Sequence, residues 1–232
     1  MARRPSRSND AANPSLVKTG NPRADFTVAA SAAERTLSTF TAAAAAMISF
    51  SRRKSIRDAS ERAYRLVVEQ ARQRVFFAEC GVPDTLDGRF ELICLHAFLY
   101  LHRLKSERPR TKALAQAFFD TMFGDLDRAL RELGTGDLRV GREVKRMAQG
   151  FYGRIRAYEN GIAAHDSVLG AALARNLFGT VGVPLAQLEA MTLHVRRAAD
   201  DLRGQGAAEL LTGRVRFVSP KPRGPRCAAR CR

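Results

Sequence analysis

The chain has 232 residues, of which 45% are hydrophobic, enough for one domain of ordinary size with additional segments at its ends. The formal net charge of +16 suits an anionic partner, such as RNA, an acidic protein face or a lipid surface, although an arginine-rich composition alone also produces it. The four cysteines lack the spacing of a secreted disulfide framework, which indicates a reducing compartment. The sequence contains no run of about twenty apolar residues, so it predicts no membrane-spanning helix.

The two ends of the chain differ in composition from its middle. Residues 1–46 are rich in Ala, Ser, Thr, Asn and Arg without a sustained period, which predicts a disordered extension. It is a natural flexible arm, a transit-like segment, or a misassigned start with true initiation at Met47. A helical domain is predicted over 47–217. Residues 218–232 carry five basic side chains and no acid, which predicts a disordered basic tail.

Apolar spacing predicts helices from Ile56 onward. The first is expected to end near Cys80, and a turn-rich loop over 81–89 follows it. Asp87 is the expected N-cap of the next helix, over about 88–106, which is apolar on nearly every face and is therefore expected to be buried.

Further helices are predicted over about 111–133, 138–162, 166–178 and 184–203, with a short turn near 207–211. Gly134-Thr135-Gly136-Asp137 joins the first two of these, and Asp137 is expected to cap the second. That second helix combines one apolar seam with a separate face of small residues. Since no convincing strand pattern appears, the sequence predicts an all-α fold, a single bundle-like domain of about six helices with short loops.

Motifs that would support catalysis do not occur in the sequence. There is no phosphate-binding glycine loop, dinucleotide fingerprint or nucleophile elbow. His96 and His102 are six residues apart rather than three or four, and Cys227 and Cys231 lack a second pair, so neither indicates a metal site. We therefore predict no enzyme activity, no cofactor and no metal.

Charged residues on two helices leave two interpretations open. The acids around Asp125 lie near Arg128 and Arg131, which is typical of a solvated, ion-paired face but also suits a partner-binding acidic strip. Between Arg139 and Arg156, basic residues share a helix with aromatic ones, which keeps nucleic-acid or ribosome binding open as an alternative function.

Several segments resemble the ubiquinol–cytochrome c chaperone family. They cover 70–105 and 113–159, followed by the weaker stretches 173–179 and 213–222. GVPDT followed by DGRF, and GD-x-x-VG followed by KRMAQGFYGR, occur in this order along one chain, which makes the resemblance specific. The sequence departs from the family where Arg74 replaces a usual proline, Phe77 a tyrosine and His102 an arginine. Loss of the proline is expected to straighten the first helix.

The resemblance implies a non-catalytic assembly chaperone that binds newly synthesised cytochrome b and promotes assembly of the ubiquinol–cytochrome c reductase. Mitochondrial relatives work with a small partner chaperone and contact the ribosome exit region. The tail composition and the Met47 start suggest a bacterial protein, cytoplasmic and peripheral to the inner membrane, rather than one on the matrix side of the mitochondrial inner membrane. Peripheral contact with an anionic membrane is a further expectation, and specific DNA binding is not expected.

A chaperone for a hydrophobic client needs apolar walls and a polar rim. The expected walls are phenylalanines and the expected rim is charged or hydrogen bonding. The plainer alternatives are core packing for the phenylalanines and helix capping for Asp87 and Asp137. The wall positions are Phe90, Phe123 and Phe151, and the rim positions are Asp84, Asp87, Arg89, Asp125, Arg128, Asp137, Lys145, Tyr152 and Arg154.

Overall fold

The computed structural model describes Met47, residues 49–179 and residues 182–220. Within these ranges the structure is helical and contains no strand, which confirms the predicted all-α class. The predictions for residues 1–46 and for Cys227 and Cys231 lie outside the described residues, and the predicted tail is described only as far as Pro220. The helices are α1 (49–71), α2 (Arg74–Ala78), α3 (Leu86–Lys105), α4 (Lys112–Glu132), α5 (Asp137–Ala163), α6 (Asp166–Asn176), α7 (Leu185–Gly204) and α8 (Ala207–Leu211).

Helix α3 is the central element of the body, as its sequence predicts. It packs against α4, α5 and α7, and Leu92, Leu95 and Tyr100 have no exposed surface. A helix in contact with neighbours on several sides must be apolar nearly all round, because any polar group on those sides would lose its hydration.

The predicted first helix is broken in two, despite the absence of proline at Arg74. Gln73 adopts an extended conformation (φ −63°, ψ 129°) between α1 and α2. Its side-chain amide donates to Gln70 at 2.7 Å and its carbonyl accepts from the Ser219 hydroxyl at 2.9 Å, while Gln70 donates to the Val218 carbonyl at 3.1 Å. Residues far away in the chain therefore stabilise the break, so it could not be predicted from the sequence around Gln73.

The C-terminal segment packs along the body in an extended conformation. The buried Gln205 side chain accepts from the Arg216 amide at 3.0 Å and donates to its carbonyl at 2.7 Å, as a neighbouring strand would. Pro220 is also buried. The packed body therefore extends to Pro220, three residues past residue 217, where the helical domain was predicted to end.

The capping predictions for two aspartates are wrong. Thr85 is the N-cap of α3 and accepts from the Gly88 amide at 3.1 Å, while Asp87 is exposed in the first turn. Gly136 occupies the N-cap position of α5, and Asp137 instead pairs with Arg131. An aspartate in the first turn still interacts favourably with the positive end of the helix dipole.

Candidate functional site

Asp84 and Arg89 lie at a depression between α2 and the start of α3. Arg89 donates to Asp84 at 2.7 Å, and this bond lowers the pKa of the Asp84 carboxyl. The guanidinium carbon of Arg89 also lies 5.9 Å from the centre of the Phe77 ring. The depression has a volume of about 520 Å³ and includes two more basic side chains, Arg72 and Arg74.

Asp125 and Arg128 line a different feature, a groove of about 680 Å³ between α1 and α4. The Tyr64 hydroxyl donates to Asp125 at 2.9 Å, and burial, followed by the charge of Asp125, raises the pKa of Tyr64. Nη1 of Arg128 lies 3.5 Å from Oδ1 of Asp125. The groove is polar, and its charged lining side chains are Arg57, Glu61, Arg65, Asp120, Asp125 and Arg128.

Two of the three expected apolar walls belong to the core. Phe151 has no exposed surface and Phe123 is buried, with their ring centres 6.0 Å apart. Neither ring can present apolar surface to a client without rearrangement of the body. These positions are therefore corrected to core positions, because the apolar seam of α5 faces α4.

Tyr152, next to Phe151, is on the open side of α5. Its side chain is 54% exposed and stacks on the half-buried Phe119 ring of α4, with 5.5 Å between ring centres. Gly153 is exposed, and a Cβ added there would meet no atom within 4 Å. Together these residues form an aromatic and glycine surface that no other described part of the chain covers.

Arg154 and Phe90 lie on the other flank of α5, against α3. The guanidinium of Arg154 makes a two-bonded ion pair with Glu91, one bond being 2.6 Å long, and this contact raises the pKa of Arg154. Its guanidinium carbon lies 6.0 Å from the centre of the half-buried Phe90 ring. Sequence reasoning missed Glu91, although an acid between apolar residues of a helix is a usable signal, since a buried carboxylate requires a partner.

Two expected rim residues lie near the α4–α5 turn. Asp137 is exposed and paired with Arg131, which also bonds Asp127 at 2.7 Å. Lys145 is exposed on α5 and makes no hydrogen bond or ion pair with the rest of the described chain.

The expected rim is therefore distributed over several surfaces rather than along one groove. One rim pair lies between α2 and α3 and another between α1 and α4, while Tyr152 and Arg154 lie on α5, with the expected wall residue Phe90 beside Arg154. Among the surfaces that these residues form in the described part of the chain, the one along α5 combines exposed aromatic area, a glycine with open space beside it and nearby charge. These are the features that a client-binding surface needs.

Two histidines, His96 and His194, lie deep in the body. The His96 and His194 ring centres are 6.0 Å apart, and both rings pack against Phe76. Burial lowers the pKa of His96 to about 4 and that of His194 to about 3, the latter with help from His96 and Arg197. Nδ1 of His96 bonds the Leu92 carbonyl at 2.8 Å. Both rings are therefore neutral at neutral pH.

The described residues define an all-helical protein with two charged depressions and an open aromatic face on α5. The family model for the ubiquinol-cytochrome C chaperone matches residues 78–217, more than half of the chain. The chain therefore belongs to the ubiquinol–cytochrome c chaperone family, as the sequence motifs predict. None of the helices in the described ranges combines the length and apolarity needed to cross a bilayer.

Similarity to individual proteins supports this family assignment. The chain is 31% identical over 163 residues to the ubiquinol-cytochrome-c reductase complex assembly factor 1 of Xenopus laevis, covering 69% of this chain and 80% of that protein. The factor of the same name from Mus musculus is also 31% identical, but the chain spans only 55% of its length. A crystal structure of the Cbp3 homolog from Brucella abortus superimposes with a TM-score of 0.65 at 38% identity, covering 75% of this chain and 97% of that one.

Proposed function

We propose that this protein is a non-catalytic chaperone that binds newly synthesised cytochrome b and promotes assembly of the ubiquinol–cytochrome c reductase. Membership of the chaperone family is the observation that carries this proposal, and relatives named as assembly factors of that complex support it. Its place of action would be the cytoplasmic side of a bacterial inner membrane, with the matrix side of the mitochondrial membrane as the alternative.

The client-binding surface in this proposal is the open face of α5. Apolar helices of membrane proteins associate where small residues let two backbones approach closely. Gly153 provides such a position, and the adjacent Tyr152 and Phe119 rings provide flat apolar area. On the far flank, Arg154 is held in place by Glu91, so a cation lies at a defined position beside the half-buried Phe90.

The experiment is capture of cytochrome b by the tagged full-length protein in a strain that lacks the untagged one, together with measurement of the assembled reductase. Gly153→Leu adds a bulky side chain at a position where a Cβ meets no atom within 4 Å, so it is expected to leave the fold intact and to block close approach of a client. Captured cytochrome b and assembled reductase are both expected to fall at least tenfold.

Gly124→Leu is the matched control. Gly124 is also exposed and helical, and a Cβ added there would also meet no atom within 4 Å, but it lies in the α1–α4 groove. It is expected to leave capture unchanged. Loss of capture with Gly124→Leu alone would transfer the client to that groove. Recovery of ribosomal RNA and proteins without cytochrome b, together with normal reductase in the deletion strain, would contradict the proposed function.

A further inference from the structure

The turn between α4 and α5 carries two strongly exposed leucines. Leu133 is 68% exposed and Leu138 is 89% exposed, and they flank the polar turn 134–137. Neither of the two depressions described above includes these leucines. Exposed apolar side chains of this size at one end of a helical hairpin indicate a contact surface.

Three cations without partners lie directly behind these leucines. Arg139, Arg142 and Lys145 are exposed and make no ion pair or hydrogen bond with any other residue in the described ranges. The acids nearby are largely neutralised, because Asp137 pairs with Arg131 and Glu143 pairs with Arg146. Glu132 is also without a partner in the described ranges, so three unpaired cations face one unpaired acid and free positive charge is in excess.

The positions of Leu138, Arg142 and Lys145 in α5 fix their order along the helix axis. Leu138, Arg142 and Lys145 are separated by four and three residues, so they share one side of the helix. With a rise of 1.5 Å per residue, the cations lie roughly 6 Å and 10 Å behind the leucine. That order matches a bilayer surface, where the acyl boundary lies a similar depth below the charged headgroups.

We propose that this hairpin end, defined by Leu133, Leu138, Arg139, Arg142 and Lys145, docks on an anionic lipid surface. The leucines enter the acyl boundary while the three cations contact headgroup phosphates. Unpaired cations beside exposed leucines suit an anionic lipid surface, which takes up apolar side chains and balances positive charge at the same place. The inference adds a lipid-facing surface to the membrane location proposed above, and its test requires no client, so either proposal can fail alone.

The test is flotation of the purified full-length protein with vesicles of phosphatidylcholine alone or with about a third phosphatidylglycerol, at low and moderate salt. Wild type is expected to bind the anionic vesicles at least tenfold more tightly, and salt is expected to weaken binding. Leu133→Ser with Leu138→Ser, or Gln at all three cations, is expected to weaken binding at least fivefold. The matched control is Leu185→Ser with Leu193→Ser, two exposed leucines on α7, with an expected change below twofold.

Fluorescence provides a second readout, because the chain contains no tryptophan. Leu138→Trp is expected to shift its emission to the blue on anionic vesicles and to be quenched by brominated lipid, whereas Leu185→Trp is not. Equal binding to neutral vesicles, unchanged binding of both hairpin variants, or an unshifted Leu138→Trp emission would overturn the proposal. Normal vesicle binding with loss of cytochrome b capture in these variants would assign the hairpin end to a protein partner instead.

Discussion

The two halves of α5 carry one apolar seam but lie in different surroundings. In the second half, Phe151 and Tyr158 are fully buried and Gly161 packs tightly against α6. In the first half, Val140 is buried on the seam, but Leu138 is almost fully exposed. A seam therefore determines which side of a helix packs inward, while neighbouring elements determine whether the other sides are covered.

The largest expected difference between the halves is in the free energy of unfolding that is lost when an apolar side chain is shortened. Phe151→Ala leaves a cavity between α4 and α5 and is expected to lower the free energy of unfolding by about 3–5 kcal/mol. Leu138→Ala removes exposed surface and is expected to change it by less than about 0.5 kcal/mol. Urea unfolding followed by far-UV circular dichroism measures both values. Similar losses for the two variants would show that the hairpin end is packed rather than exposed.

Acid is expected to destabilise the body through its buried histidines. The folded pKa values of His96 and His194, about 4 and about 3, lie below the ordinary value of 6.5. The unfolded state therefore binds more protons as the pH falls, and stability that is complete above pH 6.5 is lost progressively toward pH 4. Between pH 7 and pH 5 the two histidines together are expected to cost about 4 kcal/mol of stability.

The matched variant for this pH effect is His194→Leu, which removes one of the two titrating rings. Urea unfolding at pH 7, 6 and 5 should give a smaller slope for the variant, lower than the wild-type slope by about the contribution of one histidine, since other titrating groups contribute equally to both proteins. The same slope in both proteins would mean that the histidines do not titrate with unfolding.

The features of this fold that depend on residues close together in the chain could be predicted from the sequence. The glycine-rich turn before α5 and the apolar α3 were both predicted, because turn chemistry and helical periodicity act over a few residues. The break at Gln73 was missed because residues about 146 positions away in the chain stabilise it. Thr85 was missed as a cap because Asp87, two residues later, has an equally suitable side chain.

The candidate site was harder to predict, for a related reason. Phe151 and Tyr152 are adjacent aromatic residues, yet one is buried and the other is more than half exposed. A step of one residue turns the side chain by about 100° around the helix, so the position of α4 decides which ring is covered. Residue type alone therefore placed Phe123 and Phe151 on a client-binding wall, whereas packing places both in the core.

A pair of glycines in α5 gives the smallest and most direct test of the contrast between its halves. A Cβ on Gly161 would lie 2.8 Å from the Leu169 backbone, so Gly161→Ala must separate α5 from α6 and is expected to cost about 1–2 kcal/mol. Gly141→Ala meets no atom within 4 Å and is expected to stabilise by about 0.5–1 kcal/mol, because alanine loses less conformational entropy in a helix. Thermal unfolding should therefore move the midpoint in opposite directions for the same substitution, and a decrease for Gly141→Ala would mean that the first half of α5 is covered by a partner or by another part of the chain.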